Sequence, residues 1–409
     1  MKEKKTVLLG ISGGISAYKS VYIASGLNKM GYDVRVIMTE NATKFVAPIT
    51  FETMSGNKVI TDVFDPRNDT PTEHIELSHA ADLVLIAPAT ANTIAKLAHG
   101  IADNMLTTTL LACTCPKLIS PAMNTAMYEN PATMENLEIL EERGYTIIDP
   151  AFGHLACGDT GKGKMPEPDV LIGYVEQWIS KDKDMEGLNV LVTAGPTEEA
   201  VDPVRFITNH SSGKMGYAIA RMAARRGANV TLVSGRTALP REPFVETVDI
   251  LSAEDMFHAV TERAPEMDII IKAAAVADFT PANPAGEKIK KADLVANDTE
   301  GYGGMSIGLM PTRDILAYLG ENRTEGQFLC GFAMETQNLL KNAAEKLVKK
   351  NVDMICANSL RTKGAGFAGD TNIVTVLTRS GIKQLPLMSK TEAADAILDE
   401  IMAIRSKAE

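Results

Sequence analysis

Short apolar runs rich in Val, Ile and Leu alternate with stretches of helical spacing along the whole chain. Continuous apolar runs are what parallel strands buried on both faces require, and the helical stretches between them have the length of crossover connections. The pattern therefore predicts βαβ units and an α/β fold. In the first half the strands fall at Thr6–Leu9, Asp33–Met38, Leu83–Ala87, Lys117–Ser120 and Tyr145–Asp149. Ala17–Met30 has helical spacing and stops at Gly31, a residue that readily takes the left-handed conformation ending a helix. Around 179–187 the pattern gives way to the charged run SKDKDMEG, which reads as a linker. A fresh α/β pattern begins at Asn189–Thr193 and continues through Asn229–Val233, Ile269–Ala273, Phe328–Phe332, Met354–Ala357 and Asn372–Leu377 to an amphipathic helix over Lys390–Arg405. No internal sequence repeat is visible. The chain is thus expected to hold two different doubly wound α/β domains, residues 1–185 and 186–409.

Composition narrows the chemistry. With 45% hydrophobic and 23% charged residues the 409-residue chain is ordinary globular material. A net charge of -11 makes it a poor binder of polyanions, which argues against nucleic acid as a partner. The N-terminal MKEKKTVLLGISGG has too short an apolar run for a signal peptide and ends in a glycine loop, and no stretch approaches the ~20 apolar residues that span a bilayer. A soluble, cytoplasmic protein without membrane contact is expected. The five cysteines, Cys113, Cys115, Cys157, Cys330 and Cys356, form no CxxC pair and accompany no His-rich cluster, so neither a zinc site nor a disulfide framework is indicated.

In the first half, strand one runs into Gly10-Ile11-Ser12-Gly13-Gly14-Ile15-Ser16-Ala17 and then a helix. Such a loop offers backbone N–H groups and hydroxyls to a phosphate. The spacing is not G-x-G-x-x-G, and the second strand ends in Met38-Thr39 without a carboxylate for a ribose diol, so a mononucleotide is favoured over a dinucleotide. The third strand ends in Ala87-Pro88-Ala89-Thr90-Ala91-Asn92-Thr93, where open sheets bind ligands; Thr90 serves a helix cap equally well. His74 stands at a helix start, Asn124 follows a strand end in Pro121-Ala122-Met123-Asn124, and Cys157 sits in the glycine-dense stretch 153–163, which predicts a mobile flap over a site.

Together GISGGISAYK, HIEL, APATANT, PAMNTAM and LACGDTGKGK resemble the flavin-containing cysteine decarboxylase family over roughly residues 5–180. The resemblance implies a flavodoxin-like domain with FMN, held by Ser12, Gly13, Thr39, Thr90 and Asn92, with Asp103 and Asn104 as further candidates. It also implies roles for three residues: His74 as base, Asn124 as the group that orients the substrate carboxylate, and Cys157 as proton donor. Lys164 stands where the family more often has arginine, keeping the charge and losing the bidentate fork.

The second half opens a comparable loop, Ala194-Gly195-Pro196-Thr197, followed by the polar run Asn209–Gly216 at a helix start, again suited to phosphate. Ala273-Ala274-Ala275-Val276-Ala277-Asp278 ends a later strand; its small residues admit a flat base, and Asp278 can hold Mg²⁺ or a polar ligand edge. Lysines follow at Lys288, Lys290 and Lys291, with Lys346, Lys349 and Lys350 on another helix. TAGPT, DPVRFITNHSSGKMG, AAAVADF, KIKK and GFAMET resemble the phosphopantothenate–cysteine ligase family over roughly 188–405, which implies a Rossmann-like domain that activates a carboxylate with CTP. By that resemblance Asn209 positions an acyl intermediate, Lys288 stabilises phosphate charge, and CTP is contacted by Lys272, Ala273, Ala274, Asp278, Arg313, Asp314, Ile315, Leu316, Phe332, Lys346 and Lys350. Thr312-Arg313 replaces the Asn-Pro common before the family's Asp-Ile.

Joined in one chain, the two resemblances imply consecutive steps of coenzyme A biosynthesis: 4'-phosphopantothenate and cysteine are ligated, and the product is decarboxylated to 4'-phosphopantetheine. They also imply trimers of the flavin domain and dimers of the ligase domain, which can close into a dodecamer. Two rivals are a flavin-binding regulatory protein and a nicotinamide dehydrogenase. The joint presence of His74, Asn124 and Cys157 argues against the first, and the long polar run before Gly216 against the second.

Overall fold

The computed structural model describes residues 4–66, 69–179, 183–290, 306–335, 339–359 and 369–407. The chain separates into two compact units, Met1–Lys181 and Asp182–Glu409.

The first unit is built on β1 (Thr6–Ile11), β2 (Asp33–Met38), β3 (Val59–Ile60), β4 (Leu83–Ala89), β5 (Lys117–Pro121) and β6 (Tyr145–Ile147). These pair in parallel in the order β3-β2-β1-β4-β5-β6. With the two-residue edge strand β3 set aside, the remaining strands β2-β1-β4-β5-β6 follow the flavodoxin order, with the first strand second from the edge. Period-two alternation sends Val7, Leu9 and Ile11 to the core on one face and Leu8 to the core on the other. Both faces are buried, which is why the strands read as unbroken apolar runs. The predicted helix forms as Ala17–Lys29, with Met30 its C-cap and Gly31 at φ +94° just beyond.

The glycine-dense stretch expected to be a flap is a β-hairpin, β7 (Ala151–His154) against β8 (Thr160–Lys164). Its glycines allow it to lie against the end of β5. A Cβ on Gly163 would meet Met123 O at 2.3 Å, and the Met123 N–H donates to Gly163 O at 3.0 Å.

The second unit contains β9 (Asn189–Ala194), the hairpin β10 (Glu198–Ala200) and β11 (Phe206–Thr208), β12 (Asn229–Ser234), β13 (Glu246–Asp249) and β14 (Ile269–Lys272). Then come β15 (Phe279–Pro281) paired with β16 (Leu309–Pro311), followed by β17 (Phe328–Glu335) and β18 (Met354–Ser359). The last strands are β19 (Thr371–Asn372), β20 (Thr375–Thr378), β21 (Gly381–Gln384) and β22 (Met388–Ser389). The main sheet runs β13-β12-β9-β14-β17-β18-β20-β21, parallel through β18 and antiparallel at β20 and β21. Numbered by appearance in the sheet, its parallel part has the same order as the first unit. The shared topology left no trace as a sequence repeat.

Two expectations change. The strand predicted over Asn372–Leu377 is split: β19 pairs with β22, whereas β20 joins the main sheet. Asn372 Oδ1 accepts the Ile373 N–H at 2.9 Å, a local side-chain bond that replaces the ladder. The charged run read as a linker is, from Lys183 on, part of the second unit. Met185 has no exposed surface and sits in that unit's core, and the Arg226 guanidinium, almost wholly buried, binds Asp184, Asp395 and Asp399. Among the described residues no helix is long and apolar enough to cross a membrane.

Candidate active sites

In the first unit a cavity of about 430 Å³ opens at the carboxyl ends of β1, β4 and β5, the switch point of the sheet. Its floor is the loop after β1. The Ser12 hydroxyl donates to Pro88 O at 2.8 Å and accepts the Thr90 N–H at 2.9 Å, stitching that loop to the end of β4. Gly13 has no room for a side chain, since a Cβ would stand 2.5 Å from Asn41 Cβ. Gly13, Gly14, Ser16 and Thr90 line the cavity, and Thr90 also caps the helix Ala91–Ala98. Ser12, expected at the cofactor, instead spends its hydroxyl on this internal stitch.

Other expected cofactor residues lie outside the cavity wall. Thr39 and Asn104 cap short helices, Asp103 pairs with Lys96 at 2.7 Å, and Asn92 is exposed on its helix. His74 also lies outside, its Nδ1 buried without a hydrogen-bond partner.

Asn124 and Cys157 do come together. Asn124 Nδ2 donates to Cys157 Sγ at 3.3 Å, because the hairpin β7–β8 carries Cys157 back to the end of β5. Lys19 and Lys164, also on the wall, share Glu167 at 2.8 and 3.4 Å. Burial does not isolate that carboxyl, and its bond to Lys19 holds its pKa below the usual value. Lys19 was not singled out from the sequence, although it ends the quoted run GISGGISAYK.

The second unit has a cavity of about 600 Å³ in the corresponding place, at the carboxyl ends of β9 and β14. Gly195 at φ +73° and Gly213 at φ +76° let the loop after β9 and the start of the helix Lys214–Arg225 approach Gly235 and Thr237. Of the residues named for this half, the wall collects Asn209, Lys272, Ala273, Ala274, Asp278, Asp314, Leu316, Phe332, Lys346 and Lys350, and it adds Lys214, Asn358 and Lys390. Asn209 Nδ2 donates to Ala275 O at 3.1 Å. Asn358 Oδ1 is buried without a hydrogen-bond partner.

Charge is concentrated here. Lys272 keeps some surface open to the cavity, yet burial lowers its amine pKa against the opposing pull of Asp314 and Asp278. Burial likewise lowers Lys390, assisted by Lys214. Burial raises Asp314, but its bonds to Lys350 and the Ala317 N–H outweigh this and leave it below the usual carboxylate value.

Three expected residues are not on this wall. Ile315 is fully buried in the core. Arg313 binds Glu254 and His258 and lies 3.9 Å above the Phe257 ring. Lys288 is exposed on a segment anchored by Asp202, which accepts the Ile289 N–H at 3.1 Å, and by Arg205, which donates to Ile289 O at 2.6 Å. Lys291 falls outside the described residues. Among those described, no group of three His, Cys, Asp or Glu side chains could hold a metal.

Fold and sites define a flavoprotein unit joined to a second α/β unit with a lysine-lined ligand cavity. Residues 1–180 match the flavoprotein family, and residues 185–404 match the C-terminal domain of the DNA/pantothenate metabolism flavoproteins. The coenzyme A biosynthesis bifunctional protein CoaBC of Bacillus subtilis is 47% identical over 408 residues, covering 99% of this chain and 98% of the relative. Its counterpart in Escherichia coli is 43% identical, covering 97% of each chain. A solved phosphopantothenoylcysteine (PPC) decarboxylase, a cysteine-to-serine mutant complexed with pantothenoylaminoethenethiol, is 35% identical over 42% of this chain and 97% of its own, with a TM-score of 0.39. The chain belongs to the CoaBC family of bifunctional coenzyme A biosynthesis proteins.

Proposed function

We propose that the second unit joins 4'-phosphopantothenate to cysteine at the expense of CTP, and that the first unit decarboxylates the product to 4'-phosphopantetheine. The observation that carries this reading is the pair of cavities: one brings a carboxamide and a thiol together, the other gathers lysines.

FMN fits the first cavity. The Gly13–Gly14 backbone and the N-terminus of the Ala17 helix suit its phosphate, and the volume falls in the range of small-cofactor sites. When bound, FMN supplies a two-electron sink that makes loss of carbon dioxide easier. Asn124 orients the substrate carboxylate by donating from its amide, and Cys157 donates a proton to the carbon that has lost it. His74, outside its own cavity, meets the substrate from a neighbouring copy if the flavin units form trimers with FMN near the interface. Dimers of the second unit then complete a dodecamer, and light scattering of the full chain measures that mass.

In the second cavity Lys346 and Lys350 neutralise the triphosphate, and Lys288 stabilises charge as pyrophosphate leaves. Asn209 positions the acyl-cytidylate for attack by the cysteine amine. Asp278 is a single carboxylate, which suits a magnesium ion that takes its remaining ligands from phosphates and water.

The test supplies phosphopantothenate, cysteine, CTP and Mg²⁺ to the flavin-loaded chain. Pyrophosphate, CMP, carbon dioxide and phosphopantetheine are expected in equal amounts. Ligation without decarboxylation would remove the decarboxylase reading of the first unit, and absence of pyrophosphate release the ligase reading of the second.

A further inference from the structure

The turn between β7 and β8 brings a carboxylate to the Asn124–Cys157 pair. Asp159 Oδ2 accepts from Asn124 Nδ2 at 2.7 Å and from Cys157 Sγ at 3.3 Å. The orientation of the Asn124 amide is fixed independently, because its Oδ1 accepts the Ala126 N–H at 2.8 Å and caps the short helix Thr125–Tyr128. Its NH₂ must therefore face Cys157 and Asp159. The Asp159 side chain is not what closes the turn. That is done by the backbone, where the Leu155 N–H donates to Asp159 O at 2.8 Å and the Gly158 N–H to Leu155 O at 3.0 Å.

An amide NH₂ donating to a carboxylate oxygen beside the thiol is the contact that the decarboxylase reading gives to the substrate. In that reading Asn124 orients the substrate carboxylate beside Cys157. Asp159 already occupies those donors with the same chemical group. We propose that Asp159 is a positioning residue whose carboxylate holds Asn124 and Cys157 in register and yields its place on Asn124 to the carboxylate of the incoming substrate. The inference rests on the decarboxylase reading and adds a residue to it.

The consequence is selective. A carboxylate-bearing substrate must displace Asp159 and then stand beside its charge. A ligand without the carboxylate, such as the decarboxylated product, does neither. Once the substrate carboxylate leaves as neutral carbon dioxide, the like charge is gone and Asp159 returns to Asn124 and Cys157. Overall the step breaks one C–C bond and takes up one proton, delivered from the Cys157 S–H to the carbon and restored to sulfur from water. Bound FMN would take an electron pair from the substrate and give it back, which would leave the cycle redox-neutral.

The experiment compares the flavin-loaded full chain with Asp159→Asn, which keeps the shape and removes the charge. FMN content is measured first. For Asp159→Asn the KM for phosphopantothenoylcysteine should fall about fivefold, the factor that about 1 kcal/mol of like-charge repulsion represents at contact distance in water. The inhibition constant for phosphopantetheine should stay within about twofold, by the same charge argument applied to a ligand that lacks the carboxylate. Asp159→Glu, which keeps the charge, should restore the higher KM. An unchanged KM in Asp159→Asn, or KM and product inhibition moving together, would overturn the proposal. If Asp159→Asn loses its flavin, the Asp159→Ala variant reports instead: it too must bind substrate more tightly and product equally well, and loss of flavin there as well would make Asp159 a structural residue and end the proposal. An unmodified chain that neither bleaches its flavin nor releases carbon dioxide with phosphopantothenoylcysteine would overturn the decarboxylase reading itself.

Discussion

The two cavities occupy the same place in the same strand order and are furnished in opposite ways. The first is walled by glycines, a threonine and a carboxamide, and its lysines, Lys19 and Lys164, are both engaged by Glu167. The second gathers Lys214, Lys272, Lys346, Lys350 and Lys390, with Asp278 and Asp314 the carboxylates on its wall among the described residues and Asp370 paired with Lys214 at 2.7 Å. Backbone N–H groups at a helix start suffice for one phosphate. A triphosphate carries more charge than a helix end can answer, and side-chain cations must supply the rest. The fold thus fixes where a ligand sits, and the side chains fix how much charge it brings. In a chain of net charge -11 such a gathering of lysines is a local exception rather than a general bias.

That contrast can be broken most directly at Cys157. Cys157→Ala should lower phosphopantetheine formation by roughly 10²–10⁴-fold, the usual weight of a positioned proton donor, while CTP-dependent pyrophosphate release stays unchanged. Loss of both activities would show that the units do not work independently. Next in size is Lys350→Met, which removes the proposed triphosphate contact and the lysine paired with Asp314. The KM for CTP should rise about tenfold, in line with one charge-assisted hydrogen bond, with FMN content unaltered.

Gly216→Ala sharpens the comparison through stability. An added Cβ would stand 2.9 Å from Thr193 O and 2.6 Å from Ala194 Cβ, so rigid backbone must shift. The second unit should lose about 1–3 kcal/mol in denaturant unfolding, while flavin release from the first keeps its midpoint.

The smallest effect is on acid stability. Burial raises the Asp202 carboxyl, but the Val204 and Ile289 N–H groups and Arg205 hold it well below the usual carboxylate range. Asp314 is also lowered. A carboxylate depressed in the folded state adds stability above its unfolded pKa of about 4 and loses it as pH falls towards the folded value. The denaturant midpoint of the second unit should therefore drop as pH falls from about 5 to about 3, and Asp202→Asn should flatten that slope.

The interior strands of both main sheets were legible because a strand buried on both faces has no polar positions to confuse the pattern, whereas the short edge strands β3, β13 and β21 were not. The last helix was equally plain, and its Ser389–Glu392 capping box marks the start. The hairpin β7–β8 was not. Thr160–Lys164 has no apolar signal, and what fixes it is a backbone bond to Met123, distant in sequence. Nor does composition reveal that Met185, inside a charged run, is a core residue. In the sites, motif resemblance located Asn124 and Cys157, whereas spacing alone does not join residues so far apart in the chain. Arg313, named by the same resemblance, stands off the cavity wall, because a guanidinium that can reach a phosphate can equally reach Glu254 and the face of Phe257. Lys288 was legible as a basic residue, but its anchoring through Asp202 and Arg205 depends on backbone contacts that no local pattern encodes.

The Arg226 cluster has a practical consequence for anyone who would excise the second half of the chain. Its guanidinium is shared between Asp184, at the start of that unit, and Asp395 and Asp399 on the final helix, while the Met185 N–H donates to Arg226 O at 2.9 Å. A cut ahead of Lys183 yields a fragment that carries its own clasp. A cut placed a few residues later, where the charged run invites it, strips Met185 from the core and leaves a buried cation short of a counter-charge.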